Sequence, residues 1–229
     1  MKDFLLDIAA LIYPRVCVGC NGNLFKHEEL ICNQCYVSLP KTSYHLLKDN
    51  PIQKIFYGRG NIMFADSFLF FHKKGSVQKM LHALKYKGKP EVAQLLGKWY
   101  AQDLQQSNML PAFDYIIPVP LHKKRQQKRG YNQSEYFAKG LSEVLNIPVI
   151  THVLLKKQFT ETQTHKTRAE RAENIMQSFS IENEEVVHNK SILLVDDVIT
   201  TGATLEACII QLQKSTNVKV AIASIAYAQ

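Results

Sequence analysis

The sequence predicts an α/β fold, a mostly parallel, doubly wound sheet flanked by helices, preceded by a small cysteine-bearing module. Three observations carry this prediction. From about residue 114 onward, short apolar runs alternate with amphipathic stretches, the pattern of strands joined by helical crossovers. The run Ile192–Val195 has no polar interruption, as a strand covered on both faces requires. Four of the five cysteines, Cys17, Cys20, Cys32 and Cys35, cluster near the start, while Cys208 stands alone.

The 229 residues suffice for one well-filled core plus a smaller module. The apolar fraction of 46% argues against overall disorder. The net charge of +8 points to polyanionic partners such as nucleic acid or diphosphates, or merely to a soluble basic surface. The longest early apolar stretch, Phe4–Tyr13, is broken by Asp7. It is far shorter than the ~20 residues a membrane span needs, and it lacks the basic start and cleavage site of a secretory signal. It predicts a short amphipathic helix ended by Pro14, no membrane span, and a cytoplasmic location.

Residues 1–50 form one compositional unit, closed by the polar stretch Lys48-Asp49-Asn50 before Pro51. Its cysteines are spaced Cys17-x2-Cys20-x11-Cys32-x2-Cys35. Two such knuckles can close a tetrahedral four-sulfur site, and zinc is the expected metal, with free thiols as the alternative. Four protein ligands leave no open position, so the site is expected to be structural. His27 lies between the knuckles and reads as an exposed loop residue.

Residues 51–229 are assigned to the α/β domain. Asn61–His72 reads as extended. Ser76–Leu84 and Glu91–Leu104 read as helices around a break at Gly88-Lys89-Pro90. Asp114–Pro120 is a short apolar run, predicted as a buried strand. His122–Gly130 reads as a basic loop. Asn132 and Glu135 form a capping-box pattern, and behind them Phe137, Leu141, Val144 and Leu145 share one helical face. Pro148–Leu155 is a second strand candidate. Lys156–Asn174 is polar and basic until Thr167 and Glu170 offer another cap. Ser191–Val195 is a third strand, followed by a helix from about Gly202. Val218–Ala226 is the last strand. Cys208 falls on that helix as a small buried apolar residue. Tyr86, Tyr131 and Trp99 could stack on bases but read first as packing residues.

The most informative stretch is Ile192–Thr204. Asp196 and Asp197 stand at the carboxyl end of the predicted strand, the edge where open α/β sheets bind ligands. Thr200, Thr201, Gly202, Ala203 and Thr204 follow and open a helix. Such a loop can aim backbone N–H groups and hydroxyls at an anion, aided by the helix dipole. Carboxylates repel phosphate but accept hydrogen bonds from sugar hydroxyls. A ribose 5-phosphate satisfies both halves, whereas a polar turn before a capped helix would need no ligand. Neither GxxxxGK[ST] nor GxGxxG occurs, which disfavours Walker-type and dinucleotide sites.

This stretch resembles the binding motif of type I phosphoribosyltransferases. Pro118-Val119-Pro120-Leu121-His122 with Arg125, Arg129, Gly130, Tyr131, Asn132, Gln133 and Ser134 is similar to the PVPLHxxRxxxRGYNQS signature of the ComF family. Thr162-Gln163 with Arg168, Arg171, Asn174 and Phe179 resembles a second block of that family, and Lys85-Tyr86-Lys87-Gly88 its KYxG element. The cysteine module and Tyr13-Pro14 fit the family's amino-terminal layout.

The resemblance implies a type I phosphoribosyltransferase-like sheet with a zinc ribbon, and phosphoribosyl diphosphate as ligand. Arg125 and Arg129 would then sit at the diphosphate position with bidentate donors, or else form a solvated charge run or a nucleic-acid phosphate patch. Mg²⁺ would bridge ligand oxygens rather than sit in an all-protein cage. Lys156–Asn174 would hold the mobile substrate-covering loop, with Arg168 and Arg171 reaching the diphosphate, or else be a surface loop before a capped helix. The family resemblance further implies a role in natural transformation, where single-stranded DNA or a DNA-translocating helicase would be engaged. The alternative is an active phosphoribosyltransferase of nucleotide metabolism or salvage. No acceptor site and no catalytic residue can be read.

Overall fold

A computed structural model describes residues 14–107, 110–157 and 175–228. The expected helix over residues 4–13 lies outside them. Four parallel strands form the main sheet: β1 (Ile62–Phe70), β2 (Tyr115–Pro118), β5 (Ser191–Ile199) and β6 (Lys219–Tyr227). Their spatial order is β1-β6-β5-β2, with Tyr115 opposite Ile192 and Pro118 opposite Val195. A separate antiparallel pair joins β3 (Leu154–Lys156) to β4 (Phe179–Ile181).

The uninterrupted apolar run of β5 has a direct structural reason. Leu193 and Val195 enter one core, Ile192 and Leu194 the other, and all four are fully buried. Alternate side chains leave opposite faces of a strand, so a strand covered twice favours an unbroken apolar run; the buried polar residues of the sheet, Asp66, Ser67 and Ser224, are hydrogen-bonded. Helices α3 (Ser76–Tyr86), α4 (Glu91–Gln105) and α6 (Gln133–Leu145) cover the first face. Helix α7 (Ala203–Leu212) covers the second, where Cys208 is fully buried as expected. Two further short helices, α1 (Asn33–Val37) and α2 (Pro51–Ile55), precede the sheet.

Helices α4 and α6 meet backbone to backbone. A Cβ on Gly140 would lie 2.0 Å from the Gln94 carbonyl oxygen, and one on Gly97 would lie 2.5 Å from that of Phe137. Only glycine fits at this crossing.

The cysteine-bearing segment is built into the same body. Cys17, Val18, Ile31, Cys35 and Leu39 share the first core with Phe68, Leu69 and Met80. Residues 40–42 run along the outer edge of β1: Phe70 N–H donates to Pro40 (2.8 Å), and Thr42 N–H donates to Phe68 (3.0 Å). An edge that would otherwise offer unpaired amides is thereby covered.

Two local expectations are corrected. His122–Gly130 is not a loop, because helix α5 spans Lys123–Arg129. His122 Nδ1 accepts the Lys124 N–H at 3.1 Å, and Gly130 closes the helix with φ +85°. The helix buries no residue, so it carries no apolar period. Pro148–Leu155 is not one strand of the sheet: Val149 makes a single bridge to Ile116, and Leu154 joins the separate hairpin. Its apolar residues Val153 and Leu154 fill the second core instead of extending the ladder.

Asn132 does cap α6, accepting the Ser134 N–H at 3.2 Å. Glu135 pairs with Lys139 at 2.8 Å.

Candidate ribose-phosphate site and cysteine cluster

Strand β5 does not stop at Val195. It continues through both aspartates to Ile199, because β6 runs alongside and offers Ser224, Ala226 and Tyr227 as ladder partners. Successive strand residues diverge, and the two carboxylates have different surroundings. Asp196 accepts hydrogen bonds from Ser134 Oγ (3.0 Å) and from the Asp197 N–H (2.8 Å). It lines a cavity of about 150 Å³ together with Thr200, Thr201, Gly202, Ala203 and Thr204. Asp197 is not among the residues lining that cavity. Its Oδ2 lies 2.7 Å from Lys85 Nζ, on the last turn of α3.

Burial, then the neighbouring Asp197 charge, push the Asp196 carboxyl up to about 7, with the hydrogen bonds from Asp197 N–H and Ser134 opposing. An acid in that range can change its protonation when a ligand arrives.

The threonine loop is shaped by glycine and by a distant arginine. Gly202 has φ +77°, and a Cβ there would come within 3.0 Å of Ile55 and 3.1 Å of Phe56. Both the conformation and the contact require glycine. Arg59 Nη1 donates to the Thr201 carbonyl at 2.9 Å and lies 3.6 Å from Glu206. The first-turn amides of the ten-residue helix α7 start here, which suits an anion.

Arg125 and Arg129 stand one helical turn apart on α5 and share a face. Together with Lys128, Lys85, Tyr86, Gly88 and Tyr131 they line an open cleft of about 650 Å³. The opposite face of α5, with His122, Lys123 and Gln126, borders a second cavity of about 480 Å³ that also includes Lys156. Burial holds the Lys156 ammonium below its usual range; the thiol of Cys208 opposes that fall, Arg125 adds to it and Asp196 opposes it. Lys156 therefore lies in the electrostatic neighbourhood of the aspartate site.

The family of the phosphoribosyl transferase domain matches residues 132–229. Across most of its length the chain is similar to competence protein F of Haemophilus influenzae, 26% identical over 198 residues, covering 82% of this chain and 86% of that protein. It is 27% identical over 199 residues to the DNA utilization protein YhgH of Escherichia coli K12, covering 86% and 83% of the two. Among solved structures, an allosteric regulatory enzyme of purine biosynthesis matches at 26% identity and a TM-score of 0.38, over 57% of this chain and 25% of that one. The chain thus spans about a quarter of that enzyme's length.

The chain is thus similar to the ComF and YhgH proteins over most of its length, and its residues 132–229 match the phosphoribosyl transferase domain.

In this chain the four early cysteines meet. The Sγ atoms of Cys17, Cys20, Cys32 and Cys35 all lie within 4.8 Å of one another, with Cys20 and Cys32 at 3.7 Å. Tetrahedral zinc with sulfur at ~2.3 Å would space the sulfurs by about 3.8 Å, so the cluster fits the ion. Backbone amides already point at the sulfurs. Gly19 and Cys32 N–H donate to Cys17, and Gly22 N–H donates to Cys20, each at 3.3 Å. At Cys17, burial raises the thiol pKa but these amides outweigh it, lowering it to about 7. Burial pushes Cys35 the other way, upward.

Glu28 was not singled out from the sequence, yet it braces the second knuckle. Its carboxylate accepts the Phe25 N–H at 2.8 Å and the Asn33 N–H at 2.7 Å. His27 is exposed and outside the cluster. Trp99 packs on Tyr36, ring centroids 4.5 Å apart, while Tyr86 is 72% exposed beside His82.

The structure therefore brings Asp196 together with Thr200–Thr204, and Arg125 with Arg129. Arg168, Arg171, Thr162, Gln163 and Asn174 lie outside the described residues. Lys85, Ser134 and Arg59 join the site from elsewhere in the chain, while Lys156 lines the separate cavity beside α5. Lys85 and Ser134 fall inside motifs already noted, but their partners depend on tertiary structure.

Proposed function

We propose that this chain binds phosphoribosyl diphosphate, or a ribose 5-phosphate group, and serves DNA uptake in the cytoplasm. One observation carries the reading: Asp196 opens onto the same small cavity as the Thr200–Thr204 loop. A carboxylate suited to sugar hydroxyls and a helix start suited to a 5-phosphate thus share one space. Arg125 and Arg129 would hold the diphosphate, with Arg168 and Arg171 approaching from the segment that follows β3. Mg²⁺ fits this set as a ligand-bridging ion, since the aspartates alone make no all-protein cage; bound, it would neutralise phosphate charge. Zinc in the four-cysteine cluster would hold the amino-terminal module in shape.

The relatives' names, competence protein F and DNA utilization protein YhgH, support a role in handling incoming DNA. A basic face supports single-stranded DNA as partner. Lys74, Lys79, His82, Lys87 and Lys89 line a cleft of about 420 Å³ between α3 and the cysteine cluster. The Arg125–Arg129 cleft adjoins it along α3. Exposed His82 of the first cleft and Tyr86 of the second pack on each other, ring centroids 5.0 Å apart, and offer stacking surfaces. A translocating helicase would be a further partner. A second reading, an active phosphoribosyltransferase, has the same ligand site in its favour; release of diphosphate in the presence of acceptor bases would establish it.

Calorimetric titration with phosphoribosyl diphosphate, with and without Mg²⁺, tests the ligand. Affinity is expected to rise with pH through about 7 and then level off. The bound state needs ionised Asp196, so protons leave on binding below that range. In the free protein the sign is opposite. The raised native pKa means that this group destabilises the fold at high pH, and the penalty fades as pH falls through 7. A flat affinity profile from pH 5.5 to 8.5 would remove Asp196 from the site.

For DNA, a labelled oligothymidylate should give an anisotropy increase that weakens steeply with added salt, as phosphate contacts require. An increase that ignores salt, or none at all, would discard the basic face as its binding surface.

A further inference from the structure

We propose that Lys85 is a two-position cation that couples the aspartate site to the arginine cleft. In the structure it is paired with Asp197 at 2.7 Å, yet it also lines the cleft of Arg125, Lys128 and Arg129. It thus links an aspartate of β5 to the lining of that cleft. Its backbone is anchored, because the Tyr131 hydroxyl donates to the neighbouring Leu84 carbonyl. Its side chain is not locked: Lys85 is 28% and Asp197 17% exposed, and partly exposed pairs of this kind hold loosely.

If the positive charge brought by a bound ligand were to neutralise Asp197, the Lys85 ammonium would be released. It would then turn into the cleft and donate to a phosphate group there. Occupying the aspartate site therefore raises the affinity of the cleft for phosphate, and by linkage the reverse also holds. This coupling rests on the reading of the Arg125–Arg129 cleft as a phosphate site.

The test uses the full chain and inorganic diphosphate as probe, titrated calorimetrically without added divalent metal. Asp197→Asn mimics release of Lys85 and should bind the probe about tenfold more tightly than the unaltered protein, the worth of one charge-assisted hydrogen bond. In a Lys85→Met background the same substitution should give a clearly smaller gain. Simple repulsion between Asp197 and the probe predicts the opposite, a larger gain once Lys85 no longer neutralises Asp197. An equal or larger gain in the Lys85→Met background therefore overturns the switch while leaving the cleft intact. Lys85→Gln repeats the comparison with a polar side chain, should methionine disturb the helix end. Absence of probe binding to both the unaltered protein and Asp197→Asn would overturn the phosphate reading of the cleft, and the switch with it.

Discussion

Replacing Asp196 and Asp197 together by alanine is expected to abolish the thermal stabilisation that phosphoribosyl diphosphate gives this protein. At a ligand concentration a hundredfold above Kd, binding to the native state alone adds about 2.7 kcal/mol. In a domain of this size that is a rise in Tm of roughly 5–10 °C. Asp196 faces the Thr200–Thr204 cavity, so Asp196→Ala alone should remove most of the rise. The apo protein should tolerate the change, since burial and the Asp197 charge already strain this carboxylate. Differential scanning fluorimetry measures both quantities. Full ligand stabilisation in the double variant would place the ligand elsewhere.

The second large effect is on folding. Gly140→Ala introduces a Cβ 2.0 Å from the Gln94 carbonyl oxygen, and α4 and α6 must separate to admit it. Overpacking of a core commonly costs about 1–3 kcal/mol. Here the obstacle is backbone on both sides, so a loss of at least ~3 kcal/mol is expected, a large share of a typical stability of about 5–15 kcal/mol. Urea denaturation reads it directly. Lys139→Ala, next in sequence, loses a partly exposed pair with Glu135 and a cation–π contact with Tyr136 and should cost no more than about 1–2 kcal/mol. Equal midpoints for the two variants would mean that the helices do not cross at these glycines.

The sequence was most informative where one residue type had one physical use. Strand β5 was legible because an unbroken apolar run suits a strand covered on both faces. The cysteine pairs were legible because sulfur ligands at that spacing have few other arrangements. Helix α5 was not, since hydrophobic periodicity reports only helices that bury a face, and Lys123–Arg129 buries none. Its signals lay at its ends, in the His122 cap and in Gly130. The extent of β5 beyond Val195 was hidden for another reason: the register of β6, and not local sequence, supplies the partners of Asp196 and Ile199. Arg59 reaches Thr201 across 142 positions of sequence, and no local pattern encodes such a contact.

Because Cys17 and Cys35 sit in the same packed interior as Phe68, Leu69 and Met80, the cysteine cluster is also a lid on the oily side of the sheet. With zinc in the cluster as proposed, a chain starved of the ion would not simply lose an ornament at one end. It would leave β1 and α3 wet, and the cell would meet it as a sticky, half-finished protein.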